Sequence, residues 1–354
     1  MNKGLSHRPR RLVSGPVLSF LVLGASACAT ASGPGRVPSS MASAELPCVG
    51  SAAPREWKHV VVLVYENRSY DQVIGTNEAP YITRLANLCG TAYSGSAGAE
   101  PTNNWHDADY RVDGTLEARY NSKPSYATYT SGLSPSVHGI VDDRFNSTSD
   151  VDNIFNQLRV AGKSVKSYYD GPASDTPCAS SNFKGAYHDA IRYYTNLGGQ
   201  SSDPTTFCNT HDVPLSTFMS DLDSGNLPAF ATILPTNDEN MHDNSVESGD
   251  TWAKGFLDPI LNSAQYRKGD TAIFFVWDED TAAPNVLIAP SIVPGSKVPA
   301  PMGSPISHFS ALRTWNEMLG LPLLADAAHA PSLLSFFNGD AAGSPTSGSA
   351  SSGR

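Results

Sequence analysis

The chain has 354 residues, 40% hydrophobic and 16% charged, with 34 acidic residues against 24 lysines and arginines and a formal net charge of −10. That apolar fraction can build a buried core and excludes a chain that is disordered throughout. An acidic body cannot neutralise a polyanion's phosphates, so nucleic acid is excluded as a partner.

At the N-terminus, Lys3, Arg8, Arg10 and Arg11 precede an apolar run over residues 12–27. Basic segment, short apolar segment and small residues are the order of a secretory signal peptide, assigned to residues 1–27. The run is broken by Ser14, Gly15 and Pro16 and is short for a bilayer, so no transmembrane segment is expected in the mature chain. Cleavage after Ala27 leaves Cys28 first, and Ala25-Ser26-Ala27-Cys28 weakly resembles a bacterial lipoprotein box, which makes Cys28 a candidate lipid anchor. Residues 28–46, rich in Ala, Ser, Gly and Pro, read as a flexible tether; residues 47–338 read as one folded domain; residues 339–354 read as a disordered tail. The expected protein is a monomer, secreted or held at the surface of a bacterial cell. Setting Cys28 aside leaves Cys48, Cys89, Cys178 and Cys208, which allow three pairings. Cys48–Cys89 with Cys178–Cys208 is favoured because each closes the shorter loop. Disulfides persist in oxidising compartments, so they and export support each other.

Residues 59–65 are a continuous apolar run, the mark of a strand buried on both faces, and the run ends at Glu66-Asn67. Residues 79–89 predict a helix with Ile82, Leu85 and Leu88 on its apolar side. Residues 125–133 form a segment of small residues containing Gly132, and residues 153–161 an amphipathic helix followed by a strand at 164–168. A short strand over 229–234 stops at Pro235, and a helix is expected over 251–261. Residues 271–277 form a second buried strand ending at Asp278-Glu279-Asp280; a strand follows at 286–289 and a helix over 310–319, stopped by Gly320 and Pro322. This alternation predicts an α/β fold: a mostly parallel central sheet with helices on both faces.

Ligands of open α/β sheets bind beyond the carboxyl ends of the strands. Here three apolar strands end in acidic or amide clusters: Glu66-Asn67, Asn237-Asp238-Glu239 and Asp278-Glu279-Asp280. Carboxylates gathered at one sheet edge repel unless a positive charge sits among them, and a divalent metal ion is the simplest such partner. His242 lies four residues after Asp238, and His308 opens the last helix; both are candidate nitrogen ligands. Mixed histidine and carboxylate ligation suits zinc, manganese or iron, whereas an all-oxygen subset suits calcium or magnesium. Taken singly, each cluster is as well explained by a cap, a turn or a solvated loop. Their joint placement after successive buried strands favours the metal.

The same residues carry a family resemblance. The stretch from Tyr65 to Gly75, YENRSYDQVIG, is similar to the opening motif of the bacterial phosphoesterase family, which groups acid phosphatases with phospholipases C. In order along the chain follow Ala79-Pro80-Tyr81-Ile82, Thr130-Ser131-Gly132 with His138-Gly139-Ile140, Asn240-Met241-His242-Asp243 with Gly249-Asp250-Thr251-Trp252, Val276-Trp277-Asp278-Glu279-Asp280, and His308-Phe309-Ser310. The resemblance implies an alkaline-phosphatase-like three-layer sandwich and a hydrolase of phosphate mono- or diesters, phospholipids included. It also implies one or two divalent ions (Zn, Mn or Ca) and a phosphoserine intermediate. By position, two residues before a proline and ten before the glycine of the TSG motif, the implied nucleophile is Ser122, with Ser125 its rival. One ion would use Glu66, Ser122 and Asp278 with Glu279, and a second Asp238, His242 and His308. Asn67 would bind a phosphate oxygen, with Lys123 as a further substrate contact. The chain departs from the family at Lys123 and Ser125, and at 280–286, where a customary histidine is missing. A degenerate member that binds a phosphorylated ligand without turnover is therefore the alternative. Aromatic loops over 93–120 and 168–194 are candidates for a lid.

Overall fold

In a computed structural model, residues 46–93, 105–106, 122–181, 186–279, 283–299 and 306–339 are described. The signal peptide, Cys28, the tether up to residue 45, Asp280 and the tail from residue 340 lie outside them, as does most of the 93–120 loop. β1 (His59–Tyr65) is a run of valines and leucine, side chains that favour the extended, pleated backbone. The other strands are β2 (Gly90–Tyr93), β3 (Trp105–His106), β4 (Val165–Tyr169), β5 (Asp212–Pro214), β6 (Phe230–Leu234), β7 (Thr271–Trp277), β8 (Asn285–Ile288), β9 (Ser296–Pro299) and β10 (Ile306–Ser307). Eight of them form one sheet in the order β5-β4-β6-β1-β7-β8-β2-β9, while β3 and β10 pair apart. β8 runs antiparallel to both its neighbours, and every other pairing in the sheet is parallel.

β6 and β7 are buried at every position. Successive side chains on a strand point to opposite faces, so both faces of the sheet are covered. Aromatic contacts show which helix lies where. Phe274 meets Trp315 of the helix His308–Leu319 at 5.7 Å between ring centroids. Its neighbour Phe275 faces the other way and meets Tyr65 at 4.8 Å, and Tyr65 in turn meets Trp252 of the helix Val246–Leu261 at 6.2 Å. The expected α/β architecture, a mostly parallel sheet between helices, is what the chain forms.

Two elements differ from the sequence reading. The helix expected from 251 begins at Val246, because the Ser245 side chain accepts the Ser248 N–H and caps it five residues earlier. The segment 125–133 belongs to a helix, Ser122–Ser131, buried at all ten positions. A helix enclosed on every side shows no apolar stripe, so periodicity could not reveal it. Gly132, which ends it, has φ +74°, and a Cβ there would lie 2.7 Å from the Leu324 carbonyl oxygen. Disulfides join Cys48 to Cys89 and Cys178 to Cys208, the favoured pairing. Among the described residues no helix is long and apolar enough to cross a membrane. The aromatic side chains Tyr168, Tyr169, Tyr193 and Tyr194 are packed into the interior rather than spread as a lid.

Candidate active site

β1 lies between β6 and β7, and its register pairs Tyr65 with Trp277. The next residues on the two strands, Glu66 and Asp278, therefore emerge side by side at the carboxyl edge. Both are fully buried. The Asp278 N–H continues the ladder onto the Tyr65 carbonyl at 3.1 Å, and the Glu66 N–H reaches Asn240 beyond β6 at 2.9 Å. Asn67 then turns the chain with φ 48°, a left-handed conformation that asparagine tolerates better than most residues. Its N–H points at Asp278 Oδ1, 3.4 Å away.

The helix Ser122–Ser131 enters over this edge with its N-terminus inward. Ser122 and Tyr126 are one turn apart and so lie on one helix face. Ser122 Oγ is 3.0 Å from Glu66 Oε2, and the Tyr126 hydroxyl bonds Glu66 Oε1, so the two residues hold both oxygens of one carboxylate. Ser122 Oγ is also 3.1 Å from Glu279 Oε1. A hydroxyl has one proton and can donate to one of these carboxylates at a time. Ser125, the rival, donates instead to the main-chain carbonyl of Asp278 at 2.7 Å.

Three buried acids in one place disfavour ionisation. Burial, with the Glu279 charge adding to it, raises the Glu66 carboxyl to about 8 against the hydrogen bonds it accepts. Burial and then Glu66 push Asp278 well above the carboxylate range. Asp278 Oδ2 is buried and makes no hydrogen bond among the described residues. Burial also lowers the Lys123 ammonium to about 8, with Asp142 and Asp143 acting the other way.

A second group borders Glu66 on its other side. His188 Nε2 stands 3.5 Å from Glu66 Oε1, and its ring stacks on Tyr126 with centroids 5.4 Å apart. Neither His188 nitrogen has a hydrogen-bond partner among the described residues, and burial, followed by His242, holds the imidazole neutral. The His242 ring is 5.6 Å from that of His188; its Nδ1 meets Asp243 at 2.7 Å and its Nε2 the Tyr187 hydroxyl at 3.4 Å. The Asn237 amide donates to the same hydroxyl at 3.1 Å.

The fold thus gathers Glu66, Asn67, Ser122, Asp278 and Glu279 into one cluster, with His242 at its border. Asp238 stands exposed at the rim. His308 lies beneath the sheet edge, its Nε2 donating to the Trp277 carbonyl at 2.8 Å, and burial lowers its pKa to about 4. Among the described residues no three carboxylate or imidazole donors already form a cage around one point, neither these nor the Asp238, His242 and His308 set. The sequence reading missed His188 and Tyr126, and gave no role to Asp143, which closes the segment His138-Gly139-Ile140-Val141-Asp142-Asp143 of the family resemblance. His188 lies in a turn with no regular period, and Tyr126 and Asp143 are recruited only once the Ser122 helix is in place.

The site is thus a serine hydroxyl flanked by buried carboxylates at the carboxyl edge of a mostly parallel sheet. The chain belongs to the phosphoesterase family, whose model matches residues 82–309. It is 29% identical over 291 residues to a phosphatidylinositol-3-phosphatase of Mycobacterium tuberculosis, an overlap of 81% of this chain and 85% of that protein. A probable acid phosphatase of Kluyveromyces lactis is 23% identical over 233 residues, covering 63% of this chain but 48% of the yeast protein, so the match spans about half of that relative. Among solved structures, a protein in the alkaline phosphatase superfamily from Vibrio parahaemolyticus overlaps 77% of this chain and 70% of its own, with 14% identity and a TM-score of 0.46.

Proposed function

We propose that the protein is an exported phosphomonoesterase that uses Ser122 as its nucleophile and one divalent cation held by Glu66, Asp278 and Glu279. The observation that carries this reading is the position of Ser122 Oγ, 3.0 Å from Glu66 Oε2 and 3.1 Å from Glu279 Oε1. Two acidic groups converge on one hydroxyl, which can donate to only one of them at a time, and the buried Asp278 Oδ2 lacks a partner among the described residues. A cation resolves both faults, and this oxygen-rich donor set fits manganese, calcium or magnesium, or zinc if His188 joins it. When bound, such an ion supplies Lewis-acid activation of the hydroxyl and neutralises charge on the phosphoryl group.

The chain's own residues carry the rest of the chemistry. Ser122 Oγ attacks phosphorus and loses its proton to a neighbouring carboxylate oxygen; the bond between phosphorus and the ester oxygen breaks, that oxygen takes up a proton from the carboxyl group or from water, and the alcohol leaves as the phosphoserine forms. Water then attacks the phosphoserine and releases phosphate. Ser122 opens a ten-residue helix, whose dipole favours a phosphate near its N-terminus. Asn67, fixed in its left-handed turn, presents its amide to a non-bridging oxygen. Both disulfides support the export reading. The names of the Mycobacterium and yeast relatives support monoesters, phosphorylated lipid headgroups among them, as substrates.

The test is hydrolysis of p-nitrophenyl phosphate by metal-depleted protein with Mn²⁺, Ca²⁺ or Zn²⁺ added back, for wild type and Ser122→Ala. Restored turnover in wild type, and a loss of about a thousandfold or more in the variant, are expected for removal of a nucleophile. Turnover that survives Ser122→Ala discards the nucleophile assignment. A wild type that binds phosphate but turns over no ester is the degenerate binder.

A further inference from the structure

Lys123 follows the serine directly, yet it is only 1% exposed. Its ammonium donates to the carbonyl of Arg144 at 2.8 Å and that of Phe145 at 3.1 Å, and it lies 4.7 Å from the centre of the Tyr193 ring. An ammonium has three protons, and two carbonyls and an aromatic face account for them. At the other end of the same residue, the Lys123 N–H donates to Asp143 Oδ1 at 2.8 Å. The first N–H groups of a helix have no partner within it, and a carboxylate there is favoured by both hydrogen bonding and the helix dipole. One residue therefore grips the 143–145 segment twice, by main chain and by side chain. Ser122 precedes that grip by a single peptide unit.

We propose that Lys123 and Asp143 are positioning residues that clamp the first turn of the Ser122 helix to the 143–145 segment and so fix the hydroxyl between Glu66 and Glu279. The proposal rests on Ser122 being the reactive group. It also gives the departure from the family pattern at Lys123 a task. The side chain is directed at main-chain carbonyls, and its work is done on the nucleophile rather than on the substrate.

Three variants of the full-length protein test it: Lys123→Met, which keeps the stem without the donors; Lys123→Arg, which restores donors; and Asp143→Ala, which removes the cap. Each is assayed on p-nitrophenyl phosphate and by hydrogen exchange of the peptide covering residues 122–131. Displacement of a reacting group by about 1 Å lowers rates by about a hundredfold, so kcat is expected to fall by about ten- to a hundredfold in Lys123→Met and Asp143→Ala. KM should stay within about twofold, because ground-state binding is untouched. Exchange of the first-turn amides should quicken in both variants, and Lys123→Arg should recover part of kcat. A rise in KM with kcat unchanged would overturn the proposal by placing Lys123 on the substrate. Unchanged kcat and unchanged exchange would overturn it as well. Should wild type itself fail to hydrolyse the ester, the Ser122 reading falls separately, and the exchange measurement alone decides the clamp: slow first-turn exchange in Lys123→Met and Asp143→Ala refutes it. If Lys123→Met does not fold, Asp143→Ala, at a half-buried position, gives the same two readouts.

Discussion

Glu66 should destabilise the fold when no cation is present, and Glu66→Gln should therefore stabilise the metal-depleted protein while abolishing its activity. The carboxyl moves from 4.5 in the unfolded chain to about 8 in the fold, chiefly through burial. Below pH 4.5 both states are protonated and the shift has no effect. As pH rises from 4.5 to 8 the unfolded chain ionises while the folded one resists, so stability falls by about 1.4 kcal/mol per pH unit. At pH 7 the penalty is roughly 3 kcal/mol, and Asp278, shifted the same way, adds to it. Glutamine keeps the oxygen that accepts from Tyr126 and cannot ionise. At about 2–4 °C per kcal/mol for a domain of this size, metal-depleted Glu66→Gln should melt roughly 6–12 °C above metal-depleted wild type at pH 7. The gap should close as pH approaches 4.5. Added Mn²⁺ or Ca²⁺ should raise wild type more than the variant. Thermal melts with chelator, across pH 4.5–8, provide the assay. A chelated variant that melts at or below wild type at pH 7, or a gap independent of pH, refutes the reasoning.

His138 is held neutral by burial, its pKa lowered to about 4, with its Nε2 at 3.1 Å from Thr128 Oγ1 and its Nδ1 accepting the Ile140 N–H. The unfolded chain takes up a proton near pH 6.5 and the folded one near 4, so this contribution is complete above 6.5 and is lost as pH falls; by pH 4 the loss amounts to roughly 3 kcal/mol. Acid unfolding followed by tryptophan fluorescence should be less steep in His138→Gln than in wild type. Replacing Cys178 and Cys208 together with serine opens a loop whose ends are 30 residues apart, and should cost about 3–4 kcal/mol by loop entropy, read as a lower melting temperature.

The sequence disclosed the elements whose burial is one-sided or complete and whose residues are β-branched, such as β1 and β7. It disclosed the acidic strand ends too, because apolar runs that stop at carboxylates are visible without a fold. It could not disclose the Ser122 helix, enclosed on all sides, nor β2, β5 and β9, each of four residues or fewer and so too short to carry a period. His188 was hidden for a different reason. Its place beside Glu66 depends on a chain of irregular turns from 186 to 197, whose path is set by tertiary contacts such as the buried pair Arg192–Asp212 at 2.8 Å. The expected ligand set mixed residues of three kinds: those at the ends of β1 and β7, which strand pairing brings together; those beyond β6, whose loop leaves Asp238 exposed; and Ser122 and His308, which open helices.

Strand order explains why Glu66 is the hub. β1 has a parallel neighbour on each side, so a residue just past its end is flanked by the ends of β6 and β7 at once. Placing a glutamate there, rather than at the rim, removes it from water and makes its charge costly. A fold selected for stability alone would place an amide or an apolar residue there. The same position lets one carboxylate meet the Ser122 hydroxyl, the Tyr126 hydroxyl and the neighbourhood of His188 simultaneously. Those two facts, cost and reach, would be reconciled by the proposed cation, which would offset the charge and use the reach. The chelation and Glu66→Gln melts measure that balance directly, since they separate the cost of the charge from the benefit of the ion.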